Sequence, residues 1–203
     1  MKEYRIATMF TGHMTDEAGR KSPRFPEGMC ELAEDLIDEA FMRLLHAASH
    51  SMVFVCSLAR GSDIIAAEIA LRHGVPVRAV LPWGVERFKE LSVHGQTLSK
   101  ALAWDARFEA IVREIGQKNI VILDAKNVDE GYTQTNEQIL RIASGLGTDL
   151  VLLAFWDGAD AAKPLPGGTG HFVNTVRSMR GTIEHVDAAA ALSKFLARAA
   201  TTK

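Results

Sequence analysis

The segment of residues 51–83 contains one complete strand–helix–strand pattern, and no other feature restricts the fold as strongly. It begins with the apolar run Met52–Cys56, which is too short for a helix and is typical of a strand buried on both faces. A polar turn leads to a nearly apolar helix at residues 64–73, which ends at Gly74, and residues 77–82 form the next strand. The segment therefore predicts a β–α–β unit within a parallel sheet.

The rest of the chain continues this alternation. Short apolar runs predict further strands at residues 5–10, 119–124, 149–155 and 182–186; the run at 119–124 is typical of a buried strand, and the run at 149–155 is the most apolar. Periodic or alanine-rich segments predict helices at residues 29–50, 96–117, 136–146, 170–180 and 189–200. Polar segments predict loops at residues 15–28 and 125–135. We therefore expect one α/β domain over residues 1–203, with three layers (α/β/α) and a mostly parallel sheet.

Composition excludes several classes of protein. The chain has 25 acidic and 23 basic side chains, so a net charge of −2 provides no overall attraction for nucleic acid. Cys30 and Cys56 lack the spacing of metal ligands, and His46 and His50 lack a third ligand, so we expect no metal site. No segment reaches the ~20 apolar residues of a membrane span, and no signal peptide is visible. We expect a cytoplasmic protein with reduced thiols and no membrane association.

Three predicted strands end in polar turns that contain glycine. The turns contain Gly12 and His13, Arg60 and Gly61, and Gly167 and Gly168. The carboxyl ends of parallel strands meet at one edge of a sheet, and glycine allows a phosphate to approach backbone N–H groups closely. The first N–H groups of a following helix also attract anions. The sequence therefore predicts a shared phosphate pocket, without the P-loop lysine or the GxGxxG fingerprint.

The candidate ligand-binding residues follow from this pocket. Backbone amides that would bind phosphate, together with one hydroxyl, come from Gly12, Gly61, Gly167, Gly168, Thr169 and Gly170. Side chains that would meet the ligand's charge and polar groups are His13, Arg20, Arg60, Asp63, Glu68 and Asn174. Trp83 and Trp156 follow strands and would stack on a base, or else pack at the rim. The loop of residues 15–28 (the flap loop), with basic Arg20, Lys21 and Arg24, would cover the pocket or lie mobile on the surface.

Two segments resemble a known superfamily. CSLARGSDIIAAEIALRHGVPVRAVLP is similar to the SGLARGxDxxAHxxAL…TxAVL segment of DNA-processing protein A (Smf), and PGGTG resembles the PGGxGT turn of LONELY GUY-type phosphoribohydrolases. Both families belong to the Rossmann-like SLOG superfamily. TGHMTD near the start and FWDG near the end extend the resemblance to bacterial SLOG modules that sense nucleotide-derived signals. The resemblance implies a single Rossmann-like domain over residues 1–203 that binds a nucleotide, and a homodimer.

The departures from these relatives leave the activity open. Phosphoribohydrolases have a catalytic glutamate shortly after PGGxGT, where this chain has Val173 and Asn174. A neutral amide cannot stabilise an oxocarbenium ion, so Glu68 is the carboxylate we nominate if the chain is an enzyme, with a structural ion pair as its alternative role. We expect a sensor that binds an ADP-ribose-like, NAD-like or nucleoside phosphate ligand, without a further cofactor.

Three other functions remain as alternatives. The first is an N-glycosidase that cleaves a nucleoside monophosphate or an NAD-like molecule. The second is a domain that binds a protein partner. The third is single-strand DNA binding, which would need a basic groove with stacking aromatic side chains. Since the chain is slightly acidic, we do not expect nucleic acid to be its partner.

Overall fold

The computed structural model describes residues 3–94, 98–159 and 165–201. The strands of this part are β1 (Tyr4–Gly12), β2 (Met52–Cys56), β3 (Val77–Leu81), β4 (Ile120–Ile122), β5 (Gly147–Trp156) and β6 (Thr182–Asp187). They form one six-stranded sheet in the order β4–β3–β2–β1–β5–β6, and every neighbouring pair is parallel. The expected parallel sheet is confirmed.

Helices cover both faces of the sheet. They are α1 (Cys30–Ala47), α2 (Ser62–Arg72), α3 (Val85–Phe88), α4 (Leu98–Ile115), α5 (Val128–Leu146), α6 (Thr169–Ser178) and α7 (Ala188–Thr201). Helices α1, α2, α4 and α7 pack in one apolar cluster, and α5 and α6 pack in the other. The three-layer α/β/α fold is therefore confirmed, and it is Rossmann-like in its parallel sheet covered by helices on both faces.

The alternation of side chains along β1 explains the two clusters. Ile6 and Phe10 belong to the cluster with α1, whereas Ala7 and Met9 belong to the cluster with α5 and α6. Successive residues of a strand point to opposite faces, so a strand that is apolar at every position must be covered on both sides. This is why the continuous apolar runs predicted a buried parallel sheet.

The order of the strands reverses between β1 and β5. The chain leaves β1 for α1 on one face and leaves β5 for α6 on the other face. Loops that diverge in this way leave a crevice at the carboxyl ends of the two strands, where open α/β sheets bind their ligands. The topology thus brings the turn after Gly12 and the turn before Thr169 to the same place.

Two local predictions were wrong. The predicted loop at residues 125–135 is largely helical, because α5 begins at Val128. Asn127 caps this helix by accepting a hydrogen bond from the Glu130 N–H at 2.9 Å, and its amide donates to the Glu130 carboxylate at 3.2 Å. The N-x-x-E spacing of this capping box was the available signal. The strand predicted as buried at residues 119–124 is the half-exposed edge strand β4, where Ile122 is 48% exposed.

As predicted, most of the flap loop has no regular structure. Its end forms the 3₁₀ turn Glu27–Met29, which leads into α1. The Asp16 carboxylate accepts hydrogen bonds from the N–H groups of Arg24 and Phe25, at 2.8 and 2.9 Å. Phe25 is fully buried and packs edge-on against Phe155 of β5. These contacts anchor the far end of the loop against the end of the sheet.

Candidate functional site

A pocket of about 430 Å³ lies at the carboxyl edge of the sheet, at the reversal of strand order. Its walls come from the end of β1, the flap loop, the turn between β2 and α2, helix α5 and residues 165–169 (the glycine turn). This volume is within the range of roughly 300–1,000 Å³ that small-molecule sites occupy. Of the predicted ligand-binding residues, the pocket wall contains Gly12, His13, Asp63, Gly167, Gly168 and Thr169.

The glycine turn places the amino end of α6 in this wall. The Gly168 N–H donates to the Leu165 carbonyl at 3.0 Å, and the Gly168 carbonyl then accepts the first helical bond, from Phe172 at 3.1 Å. The amides of the first turn between them have no intrahelical acceptor. The Thr169 hydroxyl lies 3.3 Å from the Gly12 carbonyl, so it joins the glycine turn to the end of β1. The arrangement presents backbone donors to an anion.

Gly167 holds the glycine turn against α5. Its φ of +73° is in the left-handed region that favours glycine. A Cβ atom at this position would lie 2.4 Å from Cβ of Tyr132, which is too close for any side chain. The Asn136 amide donates to the Gly167 carbonyl at 3.0 Å. The turn is therefore seated on α5 by both shape and a hydrogen bond.

Arg24 is the basic residue of the pocket wall. Its backbone N–H is held by Asp16, as described above, and its side chain lines the pocket. The Arg24 Nε atom is buried and has no hydrogen-bond partner among the described residues. A buried guanidinium N–H without an acceptor is costly, because it has lost its hydration without replacement. Because this atom is closed to solvent, the indication that an anion belongs in the pocket is the positive charge of Arg24 in its wall, and not this N–H group.

Asp63 is the acidic residue of the pocket wall. It lies in the first turn of α2, is only 7% exposed, and accepts one weak hydrogen bond, from the Ala59 N–H at 3.4 Å. Burial raises the pKa of its carboxyl from 3.8 to about 7, although the Ala59 N–H opposes that shift. No described cation pairs with it. The pocket thus contains a carboxyl that changes its charge near neutral pH.

His13 connects the ends of β1 and β5. Its Nε2 atom lies 3.2 Å from both the backbone nitrogen and the carboxylate of Asp157, so it accepts from the first or, when protonated, donates to the second. Burial opposes ionisation of Asp157, but the Ala159 N–H, His13 and the charge of Arg24 outweigh it and lower the pKa of that carboxyl. His13 is therefore a buried residue of the pocket wall, and its Nε2 atom already contacts Asp157.

The two arginines that we predicted as phosphate ligands do not line the pocket. Arg60 is 6% exposed, and its guanidinium donates to the His94 carbonyl at 3.1 Å and to Glu17 at 3.4 Å. It therefore connects the turn before α2 to the flap loop and to the segment after α3. Arg20 donates to the Ser22 carbonyl at 2.9 Å and lies 3.3 Å from Asp16. Arg24 takes the place that we assigned to them.

The two tryptophans that we predicted as stacking platforms are both buried, with 3% exposure. The indole N–H of Trp83 donates to the Ala125 carbonyl at 2.9 Å, and Arg87 covers its ring at 5.0 Å. Trp156 belongs to the apolar cluster of α5 and α6. The rim-packing alternative describes both residues better, and the pocket wall instead contains the aromatic residues Phe10 of β1 and Tyr132 of α5.

The remaining predicted residues lie outside the pocket wall. Gly61, with φ of +89°, precedes α2 and packs against the backbone of Thr15. Gly170 is buried in the first turn of α6, and Asn174 is half-buried one turn further on. Glu68 forms a two-pronged ion pair with Arg107 of α4, with one contact at 2.9 Å. This geometry corrects our nomination of Glu68, because the pair joins two helices away from the pocket.

The Glu68–Arg107 pair has a testable consequence. Each side chain is about a third exposed, so solvent screens the pair. We expect Glu68→Gln to reduce the free energy of unfolding by up to about 1 kcal/mol and to leave ligand affinity unchanged. Urea unfolding measures the first quantity and calorimetric titration measures the second. A large loss of affinity would return Glu68 to the site.

Four pocket residues of α5 were missed. The predicted loop of residues 125–135 included Tyr132 and Thr135, and the helix predicted from residue 136 included Asn136 and Ile139 without showing that they face the pocket. Their spacing of three, one and three residues places them on one face of α5, which lines the pocket. The capping box at Asn127 would have extended the helix far enough to show this face. Arg24 was named only as part of a basic loop, and no pattern in the sequence distinguishes it from Arg20.

Comparisons with known proteins identify no family. No family model and no curated protein matches the chain. Among solved structures, the chain is similar to the X-ray structure of DNA processing protein A (DprA) from Streptococcus pneumoniae, with 16% sequence identity and a TM-score of 0.31. The match covers 94% of this chain and 61% of that one, so the chain spans about three fifths of the length of this neighbour.

The described residues show neither a membrane span nor a cluster of metal ligands. None of their helices combines the length and apolar character that crossing a bilayer requires. No group of three or more His, Cys, Asp or Glu side chains among them is arranged to hold a metal ion.

Proposed function

We propose that the pocket binds a nucleotide-derived phosphorylated ligand, and that the chain is a ligand-binding or sensor module of the SLOG type. The ligand class is an ADP-ribose-like, NAD-like or nucleoside phosphate molecule. One observation carries the proposal: Arg24, the basic residue of the wall, lines the same pocket as the amino end of α6. Both features favour an anion with several acceptor oxygens.

A phosphate group suits both features at once. Its oxygens would accept from the first-turn amides of α6, and its charge is opposite to that of Arg24. A carboxylate has fewer acceptor oxygens and carries less charge.

Asp63 supports a sugar beside the phosphate. Its buried carboxyl accepts only the long bond from Ala59, so it has capacity for hydroxyl donors from a ribose. A bare inorganic phosphate would offer this carboxyl no ribose hydroxyl donors. The ionised carboxyl would also carry a charge of the same sign as the phosphate. A phosphorylated sugar or nucleoside therefore fits the pair of Arg24 and Asp63 better than phosphate alone.

The partner, the assembly and the location remain predictions. The net charge of −2 favours a small nucleotide over a nucleic acid strand, whose affinity comes mainly from neutralised phosphates. The homodimer and the cytoplasmic location rest on the superfamily resemblance and on composition.

A thermal-shift panel tests the proposal. AMP, ADP-ribose and NAD would each be added to the purified chain, with adenosine as the unphosphorylated control. A ligand at about 100 times its Kd should add about 2.7 kcal/mol to the free energy of unfolding, which is a readily measured rise in Tm. A panel in which no phosphorylated compound raises Tm would support the partner-binding alternative instead.

Replacement of Arg24 tests the anion site directly. We expect Arg24→Gln to weaken binding of a phosphorylated ligand roughly ten- to a hundredfold, because a charge-assisted hydrogen bond contributes about 1.5–3 kcal/mol. Lys21→Gln is the matched control, since Lys21 is an exposed cation of the same loop and lies outside the pocket wall. Equal losses in the two variants would show that only the overall charge of the loop matters.

A second function, N-glycoside hydrolysis, is favoured by one observation. The carboxyl in the pocket is Asp63, whose pKa of about 7 suits a group that takes and returns a proton at neutral pH. It would accept a proton from water as the water oxygen bonds to the sugar C1′, and the leaving base would keep the electrons of the broken C–N bond and take up a proton. Chromatography of a nucleotide panel after incubation would detect the free base. Release that persists in Asp63→Asn would exclude this role.

A further inference from the structure

Helix α5 presents an immobilised aromatic ring to the pocket. The Tyr132 hydroxyl is 2.9 Å from the Ser92 hydroxyl, and its ring meets Trp83 edge-on with 5.7 Å between centroids. Tyr132 is half-buried and lines the pocket, unlike the two buried tryptophans. A ring that is held at both its polar tip and its edge loses little conformational entropy when a ligand packs against it.

Leu165 stands exposed at the same pocket. It is 73% exposed, more than any other large apolar side chain among the described residues, and it lines the pocket wall. Its position is set by the glycine turn, because Gly167 is seated on Tyr132 and bonded to Asn136. A large apolar side chain fixed in water beside a cavity is typical of a surface that a ligand covers.

The apolar pair adjoins the anion site. Leu165 is four residues before Thr169, and its carbonyl accepts from the N–H of Gly168, the residue that precedes α6. A ligand that occupies both regions needs an anionic group and, a short distance away, a flat apolar group. We propose that Tyr132 and Leu165 form the base-binding subsite, in which a planar heterocycle packs against the Tyr132 ring and is covered by Leu165.

This subsite rests on the proposed function, and it adds that the base, not only the sugar phosphate, contributes to affinity. Calorimetric titration with AMP and with ribose 5-phosphate separates the two contributions. The wild-type protein should bind AMP more tightly. Leu165→Ala and Tyr132→Leu should each weaken AMP binding about tenfold and leave ribose 5-phosphate binding unchanged. Tyr132→Phe, which keeps the ring, should retain most of the AMP affinity.

The control is Val128→Ala, which shortens an exposed apolar side chain of the same helix outside the pocket wall. Leu165→Ala decides the question even if Tyr132→Leu fails to fold, because Leu165 is exposed. Equal affinity of the wild type for the two compounds, or equal losses for both in Leu165→Ala, would overturn the base subsite and leave the phosphate site intact. Absence of binding to either compound would overturn both proposals.

Discussion

Asp63→Asn is expected to remove a decline in stability that the wild-type protein shows as the pH rises from about 4 to about 7. Burial raises the pKa of the Asp63 carboxyl from 3.8 to about 7 in the folded chain. Between these values the folded protein holds a proton that the unfolded chain has released, so the free energy of unfolding falls as the pH rises. A shift of this size corresponds to about 4 kcal/mol.

The sign distinguishes Asp63 from ordinary ion-paired carboxylates. The contribution of Asp63 to stability is fully present at pH values below the pKa of its carboxyl in the unfolded chain. It is lost as the pH rises through the pKa of the carboxyl in the folded chain. Asp157 behaves in the opposite way, because its pKa is lowered and its contribution is lost in acid. The informative quantity is therefore the difference in free energy of unfolding between the wild type and Asp63→Asn at each pH. The contributions of the other titrating groups cancel in this difference.

Urea unfolding at a series of pH values measures this difference. Asp63→Asn should be more stable than the wild type at pH values above about 7 and should lose that advantage below about 4. Asp35→Asn, on the exposed side of α1, controls for the loss of one negative charge. If the curves of the wild type and Asp63→Asn run parallel over this range, the carboxyl is not buried as the structure places it.

Gly61→Ala is expected to reduce the free energy of unfolding by about 2–6 kcal/mol. The φ of +89° at Gly61 strains any residue with a Cβ, which costs about 1–3 kcal/mol. The added Cβ would also lie 2.7 Å from the Thr15 backbone nitrogen and 3.1 Å from the His13 carbonyl. Because both neighbours are backbone atoms, the turn before α2 and the chain after β1 would have to separate, at a further cost of about 1–3 kcal/mol.

Gly74→Ala is the matched control at the other end of α2. Gly74 has φ of +68°, but a Cβ there would meet nothing within 4 Å. Gly74→Ala should therefore reduce the free energy of unfolding only by the backbone strain, which is about 1–2 kcal/mol. Urea unfolding of both variants measures the difference, which reports the packing of the first two loops at the pocket edge. Equal costs would show that the two loops can move apart freely.

The sheet was predictable because its pattern is local. A strand that is apolar at every position, such as Met52–Cys56, must be covered on both faces wherever it lies, and helices between such strands force them to run parallel. The glycine turns followed from the same logic, because parallel strands end at one edge. Two of the three turns, those of Gly12 and Gly167, do line one pocket.

The side chains of the pocket were less predictable because their directions depend on distant contacts. Arg24 lies in the wall because Asp16 and the buried Phe25 set the path of the flap loop, and no periodicity encodes that path. Trp83 follows a strand, as a stacking residue would, but Ala125 accepts its indole N–H from another loop.

The sequence by itself determined the layered α/β fold, the parallel sheet and the edge at which glycine turns meet, since all three follow from hydrophobic pattern and backbone freedom. Only the tertiary structure decided that Arg24, Asp63 and Tyr132 line the pocket while Arg60, Glu68 and the two tryptophans do not. The physical reason is that burial and partners of a side chain depend on segments far along the chain. Those segments come together only when the sheet has formed.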